Sequence, residues 1–587
     1  MNPELLLTHF DRVSGAPEAI PRLRRFILDL AVRGKLVDQK SDDGSALALL
    51  AKETPPAVPG AIRKQEIEFV PKSRVPFGIP SNWIWVPLGD ICSKTGSGST
   101  PRGGKSVYQR VGVPFLRSQN VHDDGLRLDD VAYIDRQTHE RMSGTAVQPG
   151  DLLLNITGGS IGRCCVIPKE LGQANVSQHV AIIRVAVEEI EPYLHKLILS
   201  PYFQSFVLSE QTGAGRGGLP KNRMDRIPVA LPPLAEQRRI VAKIDELIAL
   251  CDQLEARERE RETRRDQLVK ATHHHLDNSR APDALRKYGH FFIGYLPHLT
   301  VRPDQIEQLR LTILNLAVRG QVVPQNPNDE PTSELLKTIH TDKVRLIKDG
   351  KIKPQPPLPP IGLSQTPFRL PANWNWVRFG ELITAADAGW SPKSESFPRL
   401  GDNWGVLKVS AVSWNKFLPE ENKQLLPGVL PPEGAQVHAG DFLISRANTS
   451  ELVAKCVVVE QEPHNLILSD KIVRLQISER CSKKFISIVN NHARHARAYY
   501  AEEASGTSLS MQNVSRAVIY QLPVPLPPLA EQHRIVAKVD ELMGLCDQLE
   551  HQLTATQVRS RSLLESILYH ALSNEQPKPS EQIAVQA

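Results

Sequence analysis

Cysteines and aromatic residues are scarce in this chain of 587 residues, which has seven cysteines and 5% aromatic residues. No two cysteines have the CxxC spacing of redox-active or zinc-binding pairs, so the sequence favours reduced thiols. No apolar run approaches the roughly 20 residues that span a bilayer. Residues 1–4 (MNPE) also lack the basic start of a secretory signal. We therefore expect a cytoplasmic protein without a membrane segment.

Sequence signatures of catalysis are missing as well. The chain has no Asn-Pro-Pro-Tyr or Asp-Pro-Pro-Tyr loop for methylating a base, no complete Walker motif and no GxSxG. Residues 99–106 (STPRGGKS) end like a phosphate-binding loop, but Ser99 stands where the first glycine is required. Residues 213–218 (GAGRGG) fit GxGxxG but follow a helical pattern rather than a strand. We interpret the first as a mobile basic loop and exclude a dinucleotide site at the second.

A histidine triplet and two cysteines are the remaining candidates for ligands or nucleophiles. The triplet at 273–275 lies near the end of a predicted long helix, with no cysteine or acidic residue at ligand spacing. We interpret it as a polar, cationic helix C-terminus, with metal binding as the alternative. Cys251 and Cys546 fall on apolar helix positions and are predicted to be small core residues. The sequence thus predicts no catalytic residue and no metal site.

The composition is that of an ordinary globular protein, with 23% charged and 41% hydrophobic residues. Because single cores stop growing beyond about 250–300 residues, the length predicts three to five structural units. The formal net charge of +6 permits a polyanionic partner. Segments 81–230 and 371–528 are nearly neutral, however. Any positive charge that meets DNA must therefore be concentrated on one face.

The chain contains two similar copies of about 290 residues, which predicts a tandem internal duplication. Four markers recur in the same order at offsets of 286 to 295 residues. They are LAVRG (30–34 and 316–320), P-x-N-W-x-W-V (80–86 and 371–377), V-x-x-G-D-x-L (147–153 and 437–443) and LPPLAEQ with the helix after it (231–255 and 526–550). The helical markers are nearly identical, whereas the segments between them have diverged.

Each copy reads as a helical block, a proline-containing linker, a mixed domain with strand-like runs and a long helix. The fold class is therefore α+β, with two α/β-mixed domains separated and followed by long helices. The predicted segments are an N-terminal helical block (1–54), a linker (55–80), a first domain (81–232), a central helical region with a long helix and a second block (233–352), a Pro-rich linker (353–371), a second domain (372–527), a C-terminal long helix (528–572) and a disordered tail (573–587).

The two long helices carry apolar residues at alternating steps of four and three, the pattern of a heptad seam. Consecutive prolines at 232–233 and 527–528 precede them, which indicates where each helix begins. The seam residues are Ile240, Ile244, Leu247, Cys251 and Leu254 in the first helix and Ile535, Val539, Leu542, Cys546, Leu549 and Leu553 in the second. The charged stretch 256–266 is interpreted as a solvated face. We predict that the seams pair the helices as an antiparallel coiled coil.

Taken together, the duplicated motifs resemble the DNA specificity subunits of Type I restriction-modification complexes over essentially the whole chain. LPPLAEQ at 231–237 and 526–532 is similar to the family's exit from each recognition domain, and the Asn-Trp-x-Trp motif at 82–85 and 373–376 is similar to its start. The LAVRG segments resemble members with an extra N-terminal helical block. No single motif would be specific to this family, but the occurrence of all of them twice in the same order is specific to it.

The resemblance implies a non-catalytic subunit with two target recognition domains, each reading one half of a bipartite site in double-stranded DNA. The long helix would set the spacing, since residues 235–271 would span about 55 Å. Two methyltransferase subunits with S-adenosylmethionine and two restriction/translocase subunits with ATP and Mg would supply the chemistry. No cofactor is expected in this chain. The alternatives are a coiled-coil protein scaffold without DNA readout and a self-contained enzyme, which would need the motifs that are missing.

Polar loop residues of the two domains are the predicted DNA contacts, because Arg, Asn and Gln suit base edges and Lys suits phosphates. In the first domain they are Thr100, Arg102, Lys105, Arg117, Gln119, Asn120, Arg216, Lys221 and Arg223. In the second they are Trp390, Ser391, Lys393, Lys408, Ser410, Arg446, Asn448, Ser508, Gln512 and Asn513.

Overall fold

The computed structural model describes residues 18–51, 70, 75–103, 107–212, 217–278, 282–362, 365–414, 416–449, 452–508 and 511–572. Lys105, Arg216, the first 17 residues, most of the linker at 55–80 and the tail at 573–587 lie outside these ranges. The chain divides into two compact units. The first comprises the residues up to Arg261 and those from Thr556 onward, and the second comprises Glu262–Ala555. In the described ranges no helix is long and apolar enough to cross a membrane.

The first unit is a mixture of helices and short strands. Its helices are α1 (Ala19–Val32), α2 (Leu47–Ala51), α3 (Arg136–Arg141), α4 (Glu191–Leu199), α5 (Pro201–Ser209), α6 (Lys221–Met224) and the start of the long helix α7 (Leu234–Asn278). Its strands are β1 (Ile84–Pro87), β2 (Cys92–Ser97), β3 (Val113–Leu116), β4 (Val121–His122), β5 (Gly125–Leu126), β6 (Ala132–Ile134), β7 (Leu152–Asn155), β8 (Cys164–Val166), β9 (Asn175–Val176), β10 (Val180–Val185) and β11 (Pro228–Leu231).

The second unit has the same mixture. Its helices, besides the end of α7, are α8 (Pro282–Leu299), α9 (Pro303–Val318), α10 (Thr332–Lys348), α11 (Phe379–Leu382), α12 (Lys483–His492), α13 (Arg494–Glu503), α14 (Arg516–Gln521) and most of α15 (Leu529–Leu572). Its strands are β12 (Asn375–Arg378), β13 (Ile383–Ala388), β14 (Gly405–Leu407), β15 (Asn422–Gln424), β16 (Phe442–Ser445), β17 (Ala447–Asn448), β18 (Cys456–Val458), β19 (Leu466–Ile467), β20 (Ile472–Ile477), β21 (Ser505–Ser508), β22 (Met511–Asn513) and β23 (Pro523–Leu526).

A four-stranded antiparallel sheet forms the centre of each unit. Its strand order is β2-β10-β7-β8 in the first unit and β13-β20-β16-β18 in the second. Each unit also has a three-stranded sheet with one parallel pair, β6-β3-β9 and β15-β14-β19. A two-stranded ribbon, β1-β11 or β12-β23, leads directly into the long helix. The two units therefore share one order of strands.

Alternating side chains of the central sheet enter two separate cores. In β7, Leu152 and Leu154 pack on the helical side, and Leu153 packs in a smaller core on the other face. In β16, Phe442 and Leu443 divide in the same way. Successive strand residues point to opposite faces, and each sheet is covered on both faces. This explains why these strands read as continuous apolar runs.

In the second unit, helix α9 covers the heptad seam of α15. Ile306 and Ile313 share a buried cluster with Cys546 and with the half-buried Leu542 and Leu549. Arg310 lies at the edge of the cluster and pairs with Asp547 at 2.5 Å and with Glu550 at 2.9 Å. The partner of the seam here is a short helix of the same unit, which the heptad spacing by itself did not identify.

The first unit repeats this contact between α1 and α7. Arg24 of α1 pairs with Asp252 at 2.6 Å and with Glu255 at 2.9 Å. Ile240, Ile244 and Cys251 are buried in one core with α1, whereas Leu254 is 36% exposed. The LAVRG segment is the end of the helix that makes these contacts, which gives a physical reason for its presence in both copies.

The far ends of the long helices are covered differently. At the end of α7, Val269 and Leu276 pack with Phe292 and Leu299 of α8 in the second unit. The last turns of α15 belong to the first unit. Leu564 and Ile567 pack there with Ala19 of α1, and Arg22 pairs with Glu565 at 2.6 Å. The start of α1 therefore packs against the end of α15 within one compact unit.

Candidate nucleic-acid interface

A buried glutamate at the start of each long helix holds the Asn-Trp-x-Trp motif at the start of each mixed domain in place. Glu236 accepts a hydrogen bond from the indole Nε1 of Trp83 at 2.9 Å, and Glu531 accepts one from Trp374 at 3.0 Å. Both glutamates are almost completely buried. The Asn-Trp-x-Trp and LPPLAEQ motifs therefore meet in space, and their repetition reflects one structural junction built twice.

The helical block contributes the remaining partners of this junction. Gln325 donates to the second carboxylate oxygen of Glu531 at 2.6 Å, and Arg534 pairs with Asp329 at 2.6 Å. Burial raises the pKa of Glu531 above its ordinary value, while the hydrogen bonds from Trp374 and Gln325 oppose that shift. The hydrogen bond from Arg534 lowers the pKa of Asp329. The first unit has the equivalent pair Arg239–Asp43 at 2.5 Å.

Removing the junction carboxylate should destabilise the second unit. Glu531→Ala leaves the indole N–H of the buried Trp374 without an acceptor, whereas the exposed Gln325 can bond to water instead. A buried unsatisfied donor costs roughly 1–3 kcal/mol, so we expect a loss of about 1–3 kcal/mol for the variant. The urea unfolding midpoint of the second unit measures the loss.

Two variants of the same helix control for this effect. Glu531→Gln keeps an acceptor for one donor and should lose about half as much. Glu541→Ala removes an exposed carboxylate that pairs with Lys538 across one turn, and should change the stability by less than about 0.5 kcal/mol. Equal unfolding midpoints for Glu531→Ala and Glu541→Ala would contradict the assigned role of the junction.

A glycine in each domain lets the loop after β2 or β13, which carries the first predicted DNA contacts, cross the end of the sheet. A Cβ atom on Gly98 would lie 2.0 Å from the carbonyl oxygen of Val176, and one on Gly389 would lie 2.2 Å from that of Ser469. No side chain fits at such a distance, so glycine is needed here for space. The predicted contacts Thr100 and Trp390 follow directly on these crossings.

The first-domain candidates do not all face solvent. Thr100 and Arg102 are exposed. Arg117 donates to the Asp130 carbonyl at 2.9 Å, and the exposed Gln119 donates to the same oxygen at 3.4 Å. Asn120 is 1% exposed. Its amide accepts from the Arg117 backbone at 3.0 Å and donates to the Arg127 carbonyl at 2.8 Å, so it shapes its own turn instead of reaching outward.

The two basic residues of α6 are held by acidic neighbours. Lys221 donates to Thr95 Oγ1 at 2.7 Å and also pairs with Asp225. Arg223 pairs with Glu210 at 2.8 Å. A DNA phosphate would have to compete with these carboxylates, which partly neutralise both cations. Lys105 and Arg216 lie outside the described residues.

In the second domain a small antiparallel sheet brings five of the candidates together. The strand order is β17-β22-β21, with Asn448 opposite Gln512 and Ala447 opposite Asn513. Arg446 directly precedes β17, and Ser508 ends β21. The Arg446 N–H donates to the Lys471 carbonyl at 2.9 Å, which ties this sheet to the start of β20. Strand pairing thus brings residues more than 60 positions apart in sequence into one small sheet.

The remaining second-domain candidates lie on two loops. Trp390 is 38% exposed and its N–H donates to the Leu468 carbonyl at 2.8 Å. Lys393 is exposed. On the other loop, Lys408 lies 3.6 Å from Glu421, and Ser410 donates to the same carboxylate at 2.6 Å.

Trp414 is an exposed aromatic residue that the sequence patterns did not single out. It lies on the hairpin between Val412 and Phe417 and is 39% exposed. Lys455 Nζ lies 4.6 Å and Arg497 Cζ 5.1 Å from its ring centre, the geometry of cation–π contacts. It borders a cleft of about 810 Å³ in the second unit. A tryptophan in an otherwise polar hairpin was the available signal.

The histidine triplet lies at the end of α7 as the sequence suggested, but its first residue is buried. His273 is 2% exposed, and its Nδ1 lies 2.9 Å from Thr312 Oγ1. The ring of His275 stacks on Tyr288 at 4.5 Å. His274 and His275 are exposed, so the helix end is polar, while the buried His273 contributes to helix packing. Within the described ranges, no group of three or more His, Cys, Asp or Glu side chains is arranged to hold a metal ion.

Comparison with known proteins finds relatives along most of the chain. Residues 80–262 match a family model described as the Type I restriction modification DNA specificity domain. The chain is 34% identical over 571 residues to the Type I restriction enzyme EcoEI specificity subunit of Escherichia coli, covering 94% of each chain. It is 27% identical to the EcoAI specificity subunit of Escherichia coli, again over 94% of each. The crystal structure of the HsdS subunit from Thermoanaerobacter tengcongensis aligns with 85% of this chain and 99% of that one, at 19% identity and a TM-score of 0.43.

The chain belongs to the Type I restriction-modification specificity subunits. The resemblance inferred from the duplicated motifs is confirmed. The protein is accordingly a non-catalytic DNA specificity subunit, and catalysis in such systems lies in partner subunits.

Proposed function

We propose that the chain reads a bipartite DNA target, with residues 81–232 reading one half-site and residues 372–527 the other. The observation that carries this proposal is the shared strand order of two domains whose loops differ. A common scaffold with different loop residues is what two readers of different half-sites require, since sequence is read by side chains at base edges. The predicted contact residues remain candidates on this basis.

The two copies are proposed to derive from one tandem duplication, with the long helices associating as an antiparallel coiled coil. The repeated junctions at Glu236 and Glu531 support the duplication. The heptad seam from Ile240 to Leu254 and from Ile535 to Leu553 supports helix pairing, in which α1 and α9 take part.

The partners proposed for this subunit are double-stranded DNA, two methyltransferase subunits and two restriction/translocase subunits. The methyltransferase subunits would carry S-adenosylmethionine, and the restriction subunits would use ATP and Mg. The near-identity of residues 234–255 and 529–550, which begin the two long helices, supports one methyltransferase subunit on each. Base methylation needs the target adenine to be flipped out of the duplex, so the assembled complex would have to distort the DNA.

Lengthening α7 tests whether this helix sets the distance between the half-sites. One heptad inserted between Glu260 and Arg261 preserves the pairing of Arg24 with Glu255 and that of Arg302 with Glu262. Seven residues add about 10 Å of helix, or roughly three base pairs of rise. The base sequences of the two half-sites, here called half-words, should both persist while the gap between them lengthens. Sequencing of methylated DNA measures both.

The control replaces Arg257 and Arg261 with Ala at the same place without changing the helix length. This control should leave the words and the gap unchanged. A complex that carries the insertion, assembles normally and methylates sites with the original gap would contradict the role of α7 as a spacer.

A further inference from the structure

Each central strand begins with two exposed polar residues that no sequence motif marked. Gln178 and His179 precede β10, and Asp470 and Lys471 precede β20. All four are exposed, although the strands that follow them are buried. We refer to Gln178–His179 and Asp470–Lys471 as the strand-start pairs. They occupy the same position in two domains that share one strand order.

The strand-start pairs lie at the end of the sheet remote from the long helix. The other end of β10 is tied to the helix side, because the Ala186 N–H donates to the Ile91 carbonyl at 2.9 Å next to the ribbon that leads into α7. In the second domain the Ser478 N–H makes the equivalent bond to the Leu382 carbonyl at 2.8 Å. A strand of six residues separates the two ends by about 17 Å. The pairs therefore take no part in the junction with the long helix.

In the second domain the pair connects two of the candidate segments, those of Ser391 and Arg446. Ser391 donates to the Asp470 carboxylate at 2.5 Å and accepts from the Asp470 N–H at 3.0 Å. Lys471 lies 3.0 Å from the same carboxylate, and its carbonyl accepts from the Arg446 N–H. Asp470 thus holds Ser391 and Lys471 at fixed positions beside Arg446.

The first domain uses different side chains at the same place. His179 Nδ1 lies 2.6 Å from Thr157 Oγ1, and its carbonyl accepts from the Ile156 N–H at 3.0 Å. Gln178 has no hydrogen bond to its side chain among those that the structure records for the described residues. A difference in polar groups on a common backbone is the arrangement expected at positions that distinguish two DNA words.

Buried polar atoms next to both pairs provide a second observation. Ser177 and Ser469, which immediately precede the pairs, have hydroxyl groups that are buried without a hydrogen-bond partner in the described ranges. Asn155 Oδ1 and Ser445 Oγ, on the neighbouring strands β7 and β16, are in the same condition. An unsatisfied buried polar atom is costly and is concentrated where a structure has a functional role. Equivalent atoms in both domains mark this end of the sheet.

We propose that the strand-start pairs determine specificity, with Gln178 and His179 contacting base edges in one half-site and Lys471 contacting them in the other. This inference rests on the proposed reading of one half-site by each domain. Gln178 matches the donor and acceptor edge of an adenine, and the His179 ring offers a second polar contact. In the second domain Lys471 contacts the DNA and Asp470 is the positioning residue that holds Lys471 and Ser391.

The test uses the full chain in complex with its methyltransferase subunits and a set of duplexes with single base changes in either half-word. The double variant Gln178→Ala/His179→Ala should bind the cognate duplex about 10-fold more weakly, the scale of one base contact, and should lose discrimination only in one half-word. Asp470→Ala/Lys471→Ala should do the same in the other half-word. Sequencing of methylated DNA gives an independent readout.

The positioning role of Asp470 is separated from simple charge removal by one conservative variant. Asp470→Asn keeps an oxygen that accepts from Ser391 and should retain discrimination within about threefold, whereas Asp470→Ala alone should lose it. Glu189→Ala and Glu479→Ala are matched controls, since both remove exposed charges beyond the opposite ends of β10 and β20. Both controls should bind and methylate as the wild type does.

Each outcome decides between this inference and the function on which it rests. A wild-type complex that methylates no bipartite word overturns the proposed function. A wild-type complex with a bipartite word, together with strand-start variants that keep both half-words, overturns only this inference. Equal weakening on every duplex would mean that the pairs contact phosphates alone and would also overturn it. Because all four residues are exposed, unchanged circular dichroism and melting temperature check that the variants fold.

Discussion

Ile306→Asp is expected to release helix α9 from the C-terminal long helix. Ile306 is 0% exposed and shares a cluster with Cys546 and the half-buried Leu542. Truncating a buried isoleucine costs about 2–5 kcal/mol, and a carboxylate without a partner adds its desolvation. We expect the second unit to lose at least about 4 kcal/mol, measured as a shift in its urea unfolding midpoint.

The same helix supplies a matched control. Leu311 lies one and a half turns further along α9 and is 46% exposed. Leu311→Asp introduces the same carboxylate in water and should change the stability by less than about 0.5 kcal/mol. Hydrogen exchange of the α9 amides should accelerate in Ile306→Asp alone. Similar unfolding midpoints for the two variants would show that α9 does not depend on the seam.

Exchanging one recognition domain for that of a relative is expected to replace one half-word completely. The structure indicates where to cut: residues 88–227 can be exchanged while Trp83, the ribbon β1-β11 and Glu236 keep the junction intact. Specific sites are typically bound about 10³- to 10⁷-fold more tightly than random DNA. The exchanged half-word should therefore lose essentially all methylation at its old sequence, with the other half-word and the gap unchanged.

Replacing the start of the first long helix by that of the second tests whether this part of the chain is independent of DNA reading. In this variant residues 529–550 replace residues 234–255. The two segments differ at few positions, and the junction glutamate is kept. This variant should methylate the original sites. If a single domain exchange rewrote both half-words together, the proposal of two independent readers would fail, whatever the effect of the helix exchange.

Much of the architecture is predictable because it depends on local patterns that occur twice. Prolines at 232–233 indicate the start of α7, and the apolar run around Val180 predicts β10. Junction motifs are visible for a related reason. Trp83 and Glu236 are 153 positions apart in sequence, and each copy must preserve both partners of one buried hydrogen bond.

The arrangement of the polar residues could not be read in this way. Asn120 and Gln119 are neighbours of similar chemistry, yet one is buried in its own turn and the other is exposed. His273 has the sequence context of a helix end but is covered by other helices. In both cases exposure depends on which segments pack nearby, and no local period encodes that.

By itself, then, the sequence determined the family, the order of the repeated motifs and the positions of the long helices, because helix and strand periods and repeated motifs are properties of the chain alone. Only the tertiary structure decided which apolar face covers each seam and which polar residues meet. A heptad stripe specifies an apolar surface without naming its partner. Ser391, Arg446 and Asp470 come together through the register of β20 with its neighbouring strands and through the glycine crossing at Gly389, and those contacts are set by long-range packing.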